Sequence, residues 1–222
     1  MDERICYFFS FLIEGLVFWN YVSILFVPKY STKIRFVCLS SGFFILFLSS
    51  LHNVFLLNCI LYTTVCFLYL IFLYKTSWYY ALFHSLLFEV LTGACELPVY
   101  SFLSTFLTSA SLRAADFHLK LLFAVMSKTL FFAVMSVLLL WLKKRQKPFL
   151  QYDKSVFFTI LIPFIAQIIV LILIAVCDST AMTAAQNRLI TTSAFFLLIV
   201  NLLIFGLNQY NQKKHLEFTE MQ

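Results

Sequence analysis

The stretch "IRFVCLSSGFFILFLSSLHNVFLLNCILYTTVCFLYLIFLY", Ile34–Tyr74, is almost wholly apolar and decides the fold. As one helix it would extend about 60 Å at 1.5 Å per residue. The hydrocarbon core of a bilayer is only about 30 Å thick. The chain must therefore turn near the middle, where His52 and Asn53 separate two apolar halves, and Asn is a suitable turn residue. The pattern predicts two transmembrane helices joined by a tight turn.

The composition extends this prediction to the whole chain. The 222 residues are 62% hydrophobic and 12% charged, whereas soluble domains average about 45–50% apolar and about 25% charged residues. Only 4 Gly and 4 Pro are present, which argues against a turn-rich β protein. Short alternating segments typical of membrane β-barrels are not visible. We therefore predict an all-α, polytopic transmembrane helix bundle with membrane lipid around it.

Seven apolar runs are long enough to be transmembrane spans. The first exceeds the apolar region of a cleavable signal peptide, so it is predicted to be a retained span. The seven predicted spans are Ile5–Val27, Ile34–Leu51, Val54–Tyr74, Tyr79–Phe106, Leu119–Leu142, Ser155–Val176 and Leu189–Asn208.

Lysine and arginine residues in the linkers and at the adjoining span ends predict the orientation, because cytoplasmic loops carry an excess of them. Eleven of these residues lie in the first, third and fifth linkers and the carboxyl tail, against four on the other side. This bias predicts an extracellular amino terminus and a cytoplasmic carboxyl terminus in a cell membrane. Because the net charge of +6 is placed in short loops, it indicates topology, and nucleic acid is not expected as a partner.

Five ionisable residues fall well inside the predicted spans, more than one residue from either end, where such residues are costly and often functional. They are Glu14, His84, Glu89, Glu96 and Lys128. Glu89 and Glu96 share one helix face at a spacing of seven residues. Counting along each helix places Glu89 and Lys128 near mid-membrane, so we predict that they form an ion pair; the alternative is a neutral Glu89. Either a functional polar network or a purely structural contact between helices is compatible with this pattern.

No motif for catalysis or cofactor binding is present. Metalloprotease, serine hydrolase, phosphate-binding and dinucleotide-binding signatures are all missing. The six cysteines contain no CxxC pair, so neither a disulfide framework nor a zinc site is indicated. We therefore assign no catalytic residue to this chain and predict no cofactor and no metal for it.

The predicted outward loops, 107–118 and 177–188, are too short to form an extracellular domain. A ligand would have to contact the outer ends of the helices, whose apolar side chains suit a small hydrophobic peptide or a lipid-like molecule. The alternative is that these loops only connect helices. The candidate ligand-binding residues are Glu96, Arg113, Phe117, Asp178 and Arg188.

Three stretches together carry a family resemblance: "FWNYVSILFVPKYSTKIRF" from Phe18, "LYKTSWYYALFHSLLFEVLTGACELP" from Leu73, and the tail "YNQKKHLEFTEMQ" from Tyr210. Their layout resembles the membrane sensor region of GHKL-type receptor histidine kinases, the agr-like quorum-sensing receptors of Gram-positive bacteria. The resemblance implies a homodimer whose six or seven helices bind a short secreted peptide at the outer face. It further implies that the last helix continues into a cytoplasmic helix with the phospho-acceptor histidine, followed by an ATP-binding domain.

The sequence departs from that family after its last span. No acceptor-histidine motif or ATP-binding box is found in it, and His215 is too close to the membrane to be the acceptor. We therefore expect residues 1–208 to be a transmembrane sensor domain and residues 209–222 to begin the linker helix to a kinase outside this sequence. The alternative prediction is a small secondary transporter or channel that uses the intramembrane carboxylates.

Overall fold

A computed structural model describes residues 2–52, 54–106 and 117–143, together with isolated positions between 161 and 199. Within the three continuous segments the chain forms five α-helices and no strand. The helices are α1 (Asp2–Leu25), α2 (Thr32–Ser50), α3 (Phe55–Leu73), α4 (Trp78–Phe106) and α5 (Phe117–Lys143).

These five helices match the first five predicted spans to within a few residues at each end. Among the described residues, three segments are long and apolar enough to cross a membrane: Arg4–Leu25, Thr32–Ser50 and Phe117–Leu140. Leu57–Leu73 is a shorter apolar helix. Large apolar side chains point outward from the bundle, as with Phe72 and Val137, which is compatible with a lipid environment. The last two predicted spans, 155–176 and 189–208, lie outside the described residues except for isolated positions.

The predicted turn at His52 is confirmed. Helix α2 ends at Ser50, and the backbone amide of His52 donates to the carbonyl of Ser49 at 3.0 Å. Helix α3 begins at Phe55 and runs back along α2. Across the turn, the Ser49 hydroxyl donates to Oδ1 of Asn58 at 2.8 Å. The two halves of the apolar stretch therefore form a helical hairpin.

At the other end of the bundle, the α1–α2 and α3–α4 connections are joined by backbone hydrogen bonds. Pro28 and Tyr74 form an isolated antiparallel bridge. The amide of Lys29 donates to the carbonyl of Leu73, and the amide of Lys75 donates to the carbonyl of Val27, both at 2.9 Å. We call residues 26–31 and 74–77 the bridged loops. The bridge places the first and third linkers at one end, as the alternation of predicted spans requires.

Many aromatic rings pack against one another in the core. Each helix contacts the next, and α5 returns to contact α1. Phe88 of α4 is fully buried at the centre of this ring of helices. Its ring centroid lies 4.8 Å from that of Phe18, 5.4 Å from that of Phe131 and 6.2 Å from that of Tyr62. One side chain thus packs against α1, α3 and α5.

Helices α2 and α3 approach closely at Gly42. A Cβ atom added there would lie 2.8 Å from Cγ1 of Val65, and the β-branched valine has little freedom to move away. We expect Gly42→Ala to destabilise the bundle, because overpacking typically costs about 1–3 kcal/mol, partly offset by about 1 kcal/mol of helix propensity. Thermal unfolding in detergent should show a lower Tm for Gly42→Ala.

The partner variant tests the cause. Val65→Ala should be less harmful, or even beneficial, when Gly42→Ala is already present, because it removes the methyl group in the way. Ser41→Ala, at an exposed neighbouring position on α2, serves as the control and should leave the Tm nearly unchanged. Equal effects of Val65→Ala in both backgrounds would contradict the close contact.

Candidate functional site

A buried ionic cluster joins three helices. The Nζ atom of Lys128 on α5 lies 2.5 Å from Oε1 of Glu14 on α1 and 2.6 Å from Oε1 of Glu96 on α4. The side chains of Lys128 and Glu14 are 7% and 5% exposed, whereas that of Glu96 is 41% exposed. We call these three residues the charge triad.

A charged group inside a membrane helix needs a partner of opposite charge, and the triad provides one for each of its members. A lone charge at the bilayer centre costs at least about 2.5–3.5 kcal/mol. An ammonium has three donors, so Lys128 can serve both carboxylates at once. When all three groups are ionised, the cluster has one excess negative charge. The buried Glu14 is the more enclosed partner of Lys128, and Glu96 is the partner nearer the surface of the described bundle.

A second polar group lies at the edge of the triad. Tyr62 of α3 is 7% exposed, and its hydroxyl is close to Glu14 and to Thr92. It does not reach hydrogen-bond geometry with any of the residues that the structure describes. The Thr92 hydroxyl donates to the carbonyl of Phe88 at 3.0 Å. Helix α3 therefore adds a spare hydrogen-bonding group next to the charges of α1, α4 and α5.

Glu89 is not the partner of Lys128, and the predicted pair is corrected. A carboxylate oxygen of Glu89 accepts a hydrogen bond from the Thr63 hydroxyl on α3, and the Cys59 thiol is also close. Lys128 instead contacts Glu96, seven residues further along the same face of α4. Seven residues correspond to about 10 Å along the helix axis. The prediction therefore identified the correct face of α4 but placed the contact with Lys128 about 10 Å too early along that helix.

His84 belongs to a separate aromatic cluster. It is 1% exposed, and its Nδ1 lies 2.5 Å from the Tyr21 hydroxyl. Phe26 and Phe83 pack edge-on against the imidazole at 5.0 and 5.1 Å. Because twelve residues of α4 separate His84 from Glu96, about 18 Å of helix lies between them. The structure therefore does not join His84 to the charge triad.

Of the five predicted ligand-binding residues, Glu96, Phe117 and Arg188 lie among the described residues. Glu96 is in the charge triad. Phe117 begins α5, with its ring edge-on to that of His118 at 5.8 Å. Arg188 is exposed, and Arg113 and Asp178 lie outside the described residues. Ligand binding at these five positions stays a prediction.

Some polar residues of the bundle gave no clear signal in the sequence. In the sequence, Tyr62 and Thr63 cannot be distinguished from other residues of an apolar helix. Their polar neighbours become apparent only when α3 is packed against α4. Arg35, at the start of the second predicted span, counts with the charges of the first linker in the sequence, but in the structure it is buried in α2 and only 9% exposed. No three His, Cys, Asp or Glu side chains are placed to hold a metal ion within the described residues.

No family model matches the chain, and neither a curated protein nor a solved structure is significantly similar to it. Function must therefore be inferred from the charge triad, from the helix arrangement around it and from the layout of the sequence.

Proposed function

We propose that this chain is the transmembrane sensor domain of a receptor of the GHKL histidine kinase type. It crosses the membrane seven times, with the amino terminus outside and the carboxyl terminus in the cytoplasm. It binds a small extracellular peptide and acts as a homodimer. The last helix transmits the signal to a cytoplasmic kinase. The ligand class and the dimer are supported by the sequence resemblance, and the membrane location by the apolar helices.

The observation that carries this proposal is the sharing of Lys128 between Glu14 and Glu96. The enclosed Glu14 can keep the ammonium while the contact with Glu96 is broken. Two arrangements of α4 relative to α1 and α5 are then available without leaving the cation unpaired. A ligand that favours one of them needs a coupling free energy of only about 1–3 kcal/mol for strong switching.

The distance from the proposed ligand site to the triad suits such a switch. Helices α4 and α5 end and begin, at Phe106 and Phe117, on the side away from the bridged loops. Glu96 and Lys128 each lie about ten residues, or about 15 Å, from that side. A peptide bound at these helix ends would directly shift α4 and α5, the two helices that contain Glu96 and Lys128.

A chimera tests the proposal. Residues 1–222 would be fused, in several registers, to the cytoplasmic part of a related kinase, with a transcriptional reporter as the output. We expect the output to respond to culture supernatant of the source organism and to vary with register, because each added residue turns a helix by about 100°. In a responsive register, Lys128→Met should abolish the response and Glu89→Gln, outside the triad, should preserve it.

The second candidate, a small secondary transporter or channel, is favoured by one observation. Glu96 is partly exposed while it contacts a buried cation, as expected for a carboxylate that exchanges protons or ions. Purified protein in liposomes would then move a proton, ion or solute, and Glu96→Gln would stop the flux. Such flux, together with an inserted and folded chimera that never responds, would overturn the sensor proposal.

A further inference from the structure

We propose that the bridged-loop end of the bundle binds the headgroups of anionic phospholipids. Four cationic residues lie at this end, namely Lys29, Lys33, Arg35 and Lys75, and no Asp or Glu occurs in residues 26–35 or 74–78. A phosphate-bearing headgroup is the complementary charge. This inference is independent of the sensor proposal and requires only that the bundle be in a membrane.

The bridge between the loops concentrates these charges. Because Lys29 and Lys75 take part in the two hydrogen bonds that flank the Pro28–Tyr74 bridge, their backbones are held on neighbouring segments. The Lys29 ammonium donates to the carbonyl of Ile71 at 2.8 Å and is exposed. Lys33 and Lys75 are also exposed. A fixed group of lysines thus faces the surroundings at one end of the bundle.

Arg35 is a largely buried cation, and the partners that the described residues give it are all uncharged. Its guanidinium donates to the Tyr74 hydroxyl at 2.9 Å and to the Thr32 hydroxyl at 3.2 Å. The rings of Trp19 and Tyr74 lie 5.1 and 5.4 Å from its central carbon. Within the described residues no carboxylate pairs with it, and its Nε has no hydrogen-bond partner.

Buried charges in proteins normally have a counter-ion, so the field of Arg35 favours an anion supplied from outside. Arg35 is largely covered, and we assign it a positioning role: it fixes Tyr74 and hence the bridged loops. The exposed lysines make the direct contact. The first turn of α2 adds to the same field, because the N-cap residue Ser31 makes no side-chain capping bond and free amides at a helix N-terminus attract anions.

The surroundings of the lysines favour a lipid over a free anion. Tyr30, Trp78 and Val27 are 51%, 57% and 63% exposed at this end. Exposed aromatic residues next to lysines are typical of the membrane–water interface. A lipid can place its phosphate at the lysines and its acyl chains along the apolar helix faces, whereas inorganic phosphate can use only the first contact.

The test measures lipid retention by the purified full chain with native mass spectrometry, using phosphatidylglycerol and phosphatidylcholine as probes. We expect a preference for phosphatidylglycerol. Lys33→Gln and Lys75→Gln should each weaken its binding about fivefold, since a basic residue near an anionic surface contributes about 1 kcal/mol. Arg4→Gln removes one exposed cation from the opposite end of α1 and should change the binding less than twofold.

Each variant's Tm in phosphatidylcholine nanodiscs controls for folding, and the exposed lysine variants should match the wild type there. Equal retention of the two lipids would overturn the proposal. So would an equal loss in Arg4→Gln, which would indicate only net charge. If inorganic phosphate at millimolar concentration raises the Tm as much as phosphatidylglycerol does, the site recognises free phosphate and the lipid proposal is wrong.

Discussion

Replacing Lys128 by methionine is expected to lower the free energy of unfolding by about 3–5 kcal/mol, the usual cost of removing one member of a buried ion pair. The variant leaves Glu14 and Glu96 close together without the ammonium that both contact. Methionine keeps the length and helix propensity of the side chain, so the loss of charge dominates. Thermal unfolding in a mild detergent should show a large fall in Tm.

Compensating substitutions identify the partners. Glu14→Gln, combined with Lys128→Met, should restore more stability than Glu96→Gln does, because Glu14 is the more enclosed carboxylate. The triple variant with both carboxylates neutralised should recover the most. Glu89→Gln in the Lys128→Met background should restore nothing, since Glu89 bonds to Thr63. If only Glu89→Gln restored stability, Glu89 would be the partner of Lys128, as first predicted from the sequence.

Replacing Phe88 by alanine is expected to cost about 3–5 kcal/mol, as for other fully buried phenylalanines. In a bilayer the helices associate largely through packing contacts, and Phe88 makes such contacts with Phe18, Tyr62 and Phe131 on three other helices. The cavity left by alanine would therefore loosen the whole ring of helices. Thermal unfolding in detergent and partial proteolysis at equal temperature would both measure the loss.

Phe72→Ala is the matched control. It removes the same side chain from α3, where Phe72 is 64% exposed and has few neighbours to lose. We expect its Tm to remain close to that of the wild type. Comparable losses at both positions would show that Phe88 is not at the centre of the core.

The helices could be predicted well from the sequence because bilayer thickness sets their length. The turn at His52 followed from one distance, about 60 Å of apolar chain against about 30 Å of hydrocarbon. The pairing of the first and third linkers at one end followed from the same alternation. The hydrogen bonds that join these linkers at Pro28 and Tyr74 could not be predicted, because they depend on how two hairpins are placed side by side.

The charge triad shows where such reasoning fails. Residues seven apart share a helix face, so the sequence cannot choose between Glu89 and Glu96 without the relative depth of α4 and α5. Small differences in tilt or starting depth move a residue by one or two turns. The role of Glu14 requires a contact between α1 and α5, helices that are distant in the chain. The individual residues were recognisable as unusual, but their partners were not.

The same triad sets an order for biosynthesis. Glu14 leaves the ribosome about 110 residues before Lys128, and at about 5–20 residues per second this interval is on the order of ten seconds. After Glu96 is synthesised, a further 32 residues must be added before Lys128 is present. Until α5 is made, both early carboxylates are in helices without their ammonium, and release into lipid is unfavourable. A nascent chain that ends before Lys128 therefore contains two carboxylates whose common cation has not yet been made.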